Sequence, residues 1–172
     1  MIQKAERIIE AYQKVKPAGC GVIAMDGRAA AGKTTLAEEL AVTLGGAVVH
    51  MDDFFLPGEL RTPERLAAPG GNVHAERFAE EVLPYLRRGE AFRYRRFDCH
   101  RMDYNGWVEI PTVPVIIVEG AYSQYPQFGH YADLTAFCDI TPEEQKRRIT
   151  ARNGFRWRKS TWQSTISKKM PC

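Results

Sequence analysis

Eight residues, Gly27-Arg28-Ala29-Ala30-Ala31-Gly32-Lys33-Thr34, match G-x-x-x-x-G-K-[ST] at every fixed position. A loop of this kind suits polyphosphate. Its glycines allow backbone angles that turn successive N–H groups inward around phosphate oxygens, and the following helix adds its positive end. Lys33 is then expected to reach the β- and γ-phosphates, and the Thr34 hydroxyl to bind Mg2+. The candidate nucleotide-binding stretch runs through Gly27, Arg28, Ala29, Ala30, Ala31, Gly32, Lys33, Thr34 and Thr35. The loop alone does not separate a kinase from a GTPase or an ATPase. No N-K-x-D is present to read guanine, and no switch-type γ-phosphate sensor is recognised. A pair of carboxylates, Asp52-Asp53, follows the second apolar run. Such a carboxylate can orient an attacking hydroxyl in line with the γ-phosphate and take its proton, although an Asp pair also forms turns.

These groups need elements to hold them. The apolar run C-G-V-I-A-M-D (20–26) predicts a buried strand ahead of the loop, and T-T-L-A-E-E-L-A-V-T-L (34–44) returns to helical spacing before Gly45-Gly46. A-V-V-H-M (47–51) predicts the second strand, so that Asp52 and Asp53 sit at its carboxyl end, where ligands bind in open α/β sheets. Residues 2–15 place Ala5, Ile8, Ile9, Tyr12 and Val15 on one helical face. Residues 56–73, with their prolines and glycines, read as a long irregular loop. A helix over 75–88 is expected to kink at Pro84. F-R-Y-R-R-F-D (92–98) alternates too imperfectly to establish a strand. V-P-V-I-I-V-E (113–119) and L-T-A-F-C-D-I (134–140) predict two more strands, and Thr141-Pro142-Glu143-Glu144 carries the signature of a helix start. Strands separated by helices argue for an α/β domain with a mostly parallel sheet, a P-loop NTPase fold with helices on both faces.

The order D-G-x-x-x-x-G-K-T-T, H-M-D-D-F-F-L-P, V-I-I-V-E-G-A-Y-S and D-I-T-P-E-E-Q-K-R-R-I-T-A-R-N resembles the uridine kinase-like branch of P-loop kinases, across roughly residues 18–153. That group also includes phosphoribulokinase and bacterial pantothenate kinase. The resemblance implies Mg-ATP as phosphate donor and a small hydroxylic acceptor, a nucleoside first among the candidates. It implies that Asp52 is the catalytic acid/base and that Glu119 helps hold Mg2+, directly or through water. Elementary physics agrees on Glu119, since an ionised group ending an apolar strand is costly unless it meets a cation or water. On the acceptor side the resemblance points to Asp53, to His74 in a segment like H-P-D-A-F, to Asp98 in a segment like Y-D, and to Tyr122. Val73 and Ala75 depart from the Asp and Pro of that segment. Arg61, in the long loop, either covers the acceptor or the triphosphate, or is simply solvated. Arg147, Arg148 and Arg152 follow the last strand, and Arg148 and Arg152 share a helical face. In this fold such a helix borders the lid, whose arginines stabilise charge on the transferring phosphoryl group, which makes Arg148 and Arg152 catalytic candidates beside Lys33; the alternative is a solvated basic helix face.

The bulk composition sets bounds on the rest. At 172 residues the chain suits a single domain, read as an N-terminal helix (1–17), a kinase core (18–153) and a basic tail (154–172). A formal charge of +3 suits anionic ligands but is too weak to argue for nucleic acid. The tail from Phe155 departs from the family, with five basic residues and no acid, and is expected to be altered or truncated relative to it. Four scattered cysteines support no metal or redox motif, and Cys20 and Cys138 read as buried. With a charged N-terminus and no apolar run long enough to span a bilayer, the expected location is the cytoplasm. Two rival classes remain, a nucleotide-dependent switch and a nucleic-acid binder that uses the tail. Oligomeric state is not readable from the sequence.

Overall fold

A computed structural model describes residues 2–15, 17 and 19–154. Its centre is a parallel sheet of four strands: β1 (Gly21–Gly27), β2 (Ala47–His50), β5 (Val115–Glu119) and β6 (Leu134–Cys138). They lie in the order β2-β5-β1-β6, so the chain crosses over between neighbours. β1 and β5 are buried almost throughout, which explains why both read as continuous apolar runs rather than as alternating ones.

Both faces of this sheet are covered. Ile23, Met25, Val115 and Ile117 point to one side and pack with Leu36, Ala37 and Leu40 of α2 (Lys33–Leu44) and with Ala5 of α1 (Ile2–Val15). Val22, Val49, Ile116 and Val118 point to the other, where they meet Phe78, Val82, Leu86, Phe92 and Tyr94. The expected α/β architecture with helices on both faces is therefore present, and Cys20 and Cys138 are buried. Val15, expected on the apolar face of α1, is exposed instead. Among the described residues no helix is long and apolar enough to cross a membrane.

The second face differs from the sequence expectation. The helix expected over 75–88 is broken, not merely kinked, into α4 (Ala75–Glu81) and α5 (Leu83–Leu86), with Val82 at φ −124 between them. Pro84 causes this, because its ring clashes with the carbonyl four residues back and offers no N–H. Residues 92–98 do form a strand, β3 (Phe92–Asp98), paired antiparallel with the unforeseen β4 (Asp103–Ile110). Its imperfect alternation has a physical origin in a register shift between Arg95 and Phe97, which lets Phe92, Tyr94 and Phe97 all face inward. The segment 56–73 is also less irregular than expected. It contains α3 (Pro63–Ala67), whose Thr62 cap accepts a hydrogen bond from the Arg65 N–H at 3.2 Å. β6 stops two residues early, where Asp139 turns to accept the Ile140 N–H at 2.9 Å. α6 (Pro142–Gly154) starts as expected, with Glu144 N–H donating to Thr141 Oγ1 at 3.2 Å. The basic tail from 155 onward lies outside the described residues.

One buried cation joins the elements of this face. Arg77 of α4 is 1% exposed. Its guanidinium donates to the Asp53 carbonyl, to the Arg95 carbonyl of β3 at 2.5 Å, and to Glu81 at 3.2 Å. It also stacks 4.2 Å from the Phe54 ring centre. Glu81 in turn accepts from the Arg95 N–H at 2.9 Å and from Arg95 Nε at 2.7 Å. Arg77→Leu takes from Glu81 one of its two arginine partners, Arg95 remaining, and removes a charged donor from two carbonyls, so a loss of about 1.5–3 kcal/mol is expected. Equilibrium urea unfolding measures it, and a loss below about 1 kcal/mol, the range of an exposed ion pair, would contradict the pinning role.

Candidate active site

The phosphate loop joins β1 to α2 at the carboxyl end of the sheet. Gly27, at φ 139, passes so close to β6 that an added Cβ would lie 2.1 Å from the Cys138 carbonyl oxygen, so no larger residue fits. Ala30 and Gly32 both take positive φ, 61 and 88, and alternation of this kind turns backbone N–H groups toward one concave side. α2 begins immediately after, directing its N-terminus at the same place. Lys33 folds back across the loop, its Nζ donating to the carbonyls of Gly27 at 2.9 Å and Arg28 at 3.0 Å. Gln145 and Arg148 of α6 reach the tip of the loop, donating to the carbonyls of Ala29 and Ala30, each at 3.2 Å. Arg148 also pairs with Glu144 at 2.6 Å, which orients its guanidinium. Arg152 lies on α6, and its side chain is outside the described residues.

Glu119 ends β5 beside the loop. It is 4% exposed, not a solvated strand end, and its Oε1 accepts from Thr34 Oγ1 at 3.0 Å. His50 Nδ1 lies 2.7 Å from the same oxygen. The pairing follows from register, since His50 and Glu119 are Cα partners across the parallel β2–β5 ladder. Gly120 then turns the chain away at φ 132, where a Cβ would sit 2.8 Å from Met51 Cβ, so the order Glu-Gly is sterically required. The hydrogen bond to Glu119 raises the His50 pKa, against the opposing effect of burial, and Asp53 and Asp52 add to the rise. A hydroxyl and a buried carboxylate 3.0 Å apart form an oxygen donor set that fits a hard divalent cation. Sequence reasoning missed His50, because only the strand pairing places it against Glu119.

The two aspartates follow in a 3-10 turn over Met51–Phe54. Asp52 is exposed there, and Asp53 is half-buried. Tyr94 of the hairpin donates to Asp53 Oδ2 at 3.0 Å, yet burial still pushes the Asp53 carboxyl above its ordinary range. His74 caps α4, its Nδ1 accepting the Arg77 N–H at 3.3 Å, and desolvation lowers its pKa. Asp98 holds the β3–β4 turn, accepting from the His100 N–H at 2.8 Å and from Asn105 Nδ2 at 3.1 Å. Tyr122 adopts φ 65 just beyond Gly120 and packs edge-on against Tyr125. Arg61 closes the short 3-10 turn Gly58–Leu60. The structure thus gathers Thr34, His50 and Glu119 at the strand tips, with Asp53 close enough to His50 to act on its charge. Asp98 and His74 hold local structure in their own segments.

The loop carrying Arg61 is tied at its base. Leu56 N–H donates to the Asn72 carbonyl at 3.0 Å, His74 N–H donates to that of Phe54 at 2.7 Å, and Arg65 forks onto Glu76 at 2.7 and 2.8 Å.

No family model matches the chain. A thymidylate kinase from Xanthomonas euvesicatoria pv. vesicatoria (strain 85-10) is 30% identical over an aligned length of 153 residues, covering 81% of this chain and 64% of that protein. The chain therefore spans less than two thirds of the length of this relative. Two solved structures share its fold. A candidate fructose transport system kinase from Silicibacter sp. TM1040 superposes with a TM-score of 0.71 at 23% identity, over 88% of this chain and 82% of that one. A candidate uridine kinase from Bacillus stearothermophilus gives 0.68 at 18% identity, over 89% and 90%.

The loop clasp yields a pH prediction. Arg65 holds the Glu76 carboxyl down to about 2, so the pair contributes fully above the unfolded carboxyl value of about 4.3 and is lost as pH falls through about 2. Proteolytic nicking within 56–73 should therefore rise between pH 4 and pH 2, read with an acid-active protease. Glu76→Gln should already be nicked faster at pH 5 and should lack that acid dependence; an identical profile for parent and variant would contradict the clasp. With the glycine loop at the end of a central strand and the architecture of these structural neighbours, the chain has the P-loop NTPase fold, a parallel sheet flanked by helices.

Proposed function

We propose that the chain is an ATP-dependent kinase that moves the γ-phosphate of Mg-ATP to a hydroxyl of a small molecule, with a nucleoside as the leading acceptor class. The observation that carries this reading is the convergence of Thr34, Glu119 and the Asp52–Asp53 turn at the carboxyl ends of neighbouring strands. A switch needs only the first two. A carboxylate-bearing turn beside them is what a hydroxyl acceptor requires.

In this reading the N–H groups of Gly27–Thr35 cradle the phosphates. Lys33 leaves its loop carbonyls to pair with the β- and γ-phosphates, and Arg148, already over Ala30, covers the transferring group. Thr34 and Glu119 would hold Mg2+, which supplies charge neutralisation on the triphosphate. Asp52 orients the acceptor hydroxyl and takes its proton as the new O–P bond forms; the bond between the γ-phosphorus and the β–γ bridging oxygen breaks, and ADP leaves. Positioning dominates this chemistry, so an ordinary carboxylate suffices for Asp52.

The names of the similar proteins (uridine, thymidylate and fructose transport kinases) support a small-molecule acceptor. A second acceptor class is favoured by one residue. Val73, where nucleoside kinases of this group have an Asp, is 2% exposed in the core and brings no polar group to the acceptor side. A sugar phosphate or pantothenate is therefore the second reading.

ADP release from Mg-ATP, measured with a panel of nucleosides, pantothenate and sugar phosphates, tests the proposal. One acceptor should stimulate turnover, and Asp52→Asn should lower kcat about 10²–10⁴-fold without weakening ATP binding. Lys33→Ala should abolish stimulation. Turnover indifferent to every acceptor and to Asp52→Asn would mark a hydrolase or switch instead.

A further inference from the structure

Among the described residues, Glu119 is anchored through a single oxygen. Thr34 Oγ1 and His50 Nδ1 both meet Oε1, at 3.0 and 2.7 Å, and neither contacts Oε2. The Glu119 side chain is 6% exposed and that of His50 is 35% exposed, so a buried carboxylate is paired with a half-exposed imidazole. A carboxylate accepts and cannot donate, which places a proton on Nδ1 and makes His50 the donor. The contact requires no reach, because the two residues are cross-strand partners held by the ladder itself.

Partners of this kind are known to govern metal affinity. A carboxylate ligand held by a hydrogen bond presents its remaining oxygen in a fixed direction, and removing the holder typically weakens metal binding about 10- to 100-fold. Thr34 cannot serve alone, since its hydroxyl is itself the other candidate ligand. Sequence resemblance assigned roles to Asp52, Asp53 and Glu119 but none to His50.

We propose that His50 is a positioning residue of the cation site: by anchoring Oε1 of Glu119 it keeps Oε2 as the oxygen available to the divalent cation or its bound water. The inference rests on the nucleotide–metal reading of Thr34 and Glu119 given above. It does not depend on which acceptor is used, or on whether phosphate is transferred at all.

The test is a Mn2+ titration of the full chain, followed by electron paramagnetic resonance in the presence of ADP. Parallel nucleotide binding is measured in EDTA, and thermal midpoints check the fold. His50→Phe should weaken Mn2+ about 10- to 100-fold while metal-free ADP affinity stays at the parent value; its thermal midpoint falls, since buried Glu119 loses a hydrogen bond, but stays above the assay temperature. His50→Asn, whose amide N–H can stand in for Nδ1–H, should bind Mn2+ close to the parent affinity. Equal Mn2+ affinity in parent and His50→Phe would overturn the inference. So would parallel losses of Mn2+ and metal-free ADP binding in both variants, which would mark a purely structural role. A parent that binds ADP but no Mn2+ would overturn the metal site and the inference together. A parent that binds Mn2+ normally, loses it in His50→Phe and yet phosphorylates no acceptor would uphold the inference and count against the kinase reading alone.

Discussion

Moving a carboxylate out of water costs several kcal/mol unless partners replace its hydration, and Glu119 sits 4% exposed at the end of a strand whose other four residues are apolar. That single cost organises the carboxyl edge of the sheet. Thr34 must place its hydroxyl 3.0 Å away, which fixes where α2 begins and hence where the glycine loop closes. The register of β2 against β5 brings His50 to the same oxygen. The turn carrying Asp52 and Asp53 follows His50 directly, so its position is inherited from that register. Phosphate loop, cation ligands and candidate base are therefore consequences of how one buried charge is satisfied.

The acceptor side rests on a different device. Between the Asp52–Asp53 turn and the hairpin there is no shared sheet, and Arg77 supplies the connection through carbonyls of both segments and a carboxylate of its own helix. Carbonyl acceptors, a stacked Phe54 ring and a shared Glu81 disperse its charge where water does not reach. Tyr94 adds a second link from the hairpin, donating to Asp53. The placement of the aspartates is thus controlled from two directions, by the sheet behind them and by Arg77 in front.

Much of the first device was legible in the sequence. β1, β2 and β5 announce themselves as apolar runs, and the phosphate loop and Glu119 fall at their ends, where local pattern and function coincide. The second device was hidden because it is non-local. Arg77 occupies an inward position of its helix, one residue before Phe78, where the eye expects an apolar residue, and its partners lie at Asp53 and Arg95. The strand at 92–98 was obscured by its own bulge, since Phe92, Tyr94 and Phe97 step by two and then by three. α3 was obscured by its proline-rich surroundings. Yet Thr62-Pro63-Glu64 repeats the start signal Thr141-Pro142-Glu143 that was read correctly at α6. His50 was passed over because a histidine ending a strand carries no local signature, and only the ladder places it against Glu119.

The central claim is that Thr34 and Glu119 hold the cation of a nucleoside triphosphate whose γ-phosphate faces the Asp52 turn. A crystal structure with Mn2+ and a non-hydrolysable ATP analogue, located by anomalous scattering, tests it most directly. A Mn2+ peak is expected about 2.2 Å from Thr34 Oγ1, with Glu119 bound to it directly or through one water and the γ-phosphate presented toward Asp52. Metal bound away from Thr34 and Glu119, or a γ-phosphate turned from Asp52, would contradict it.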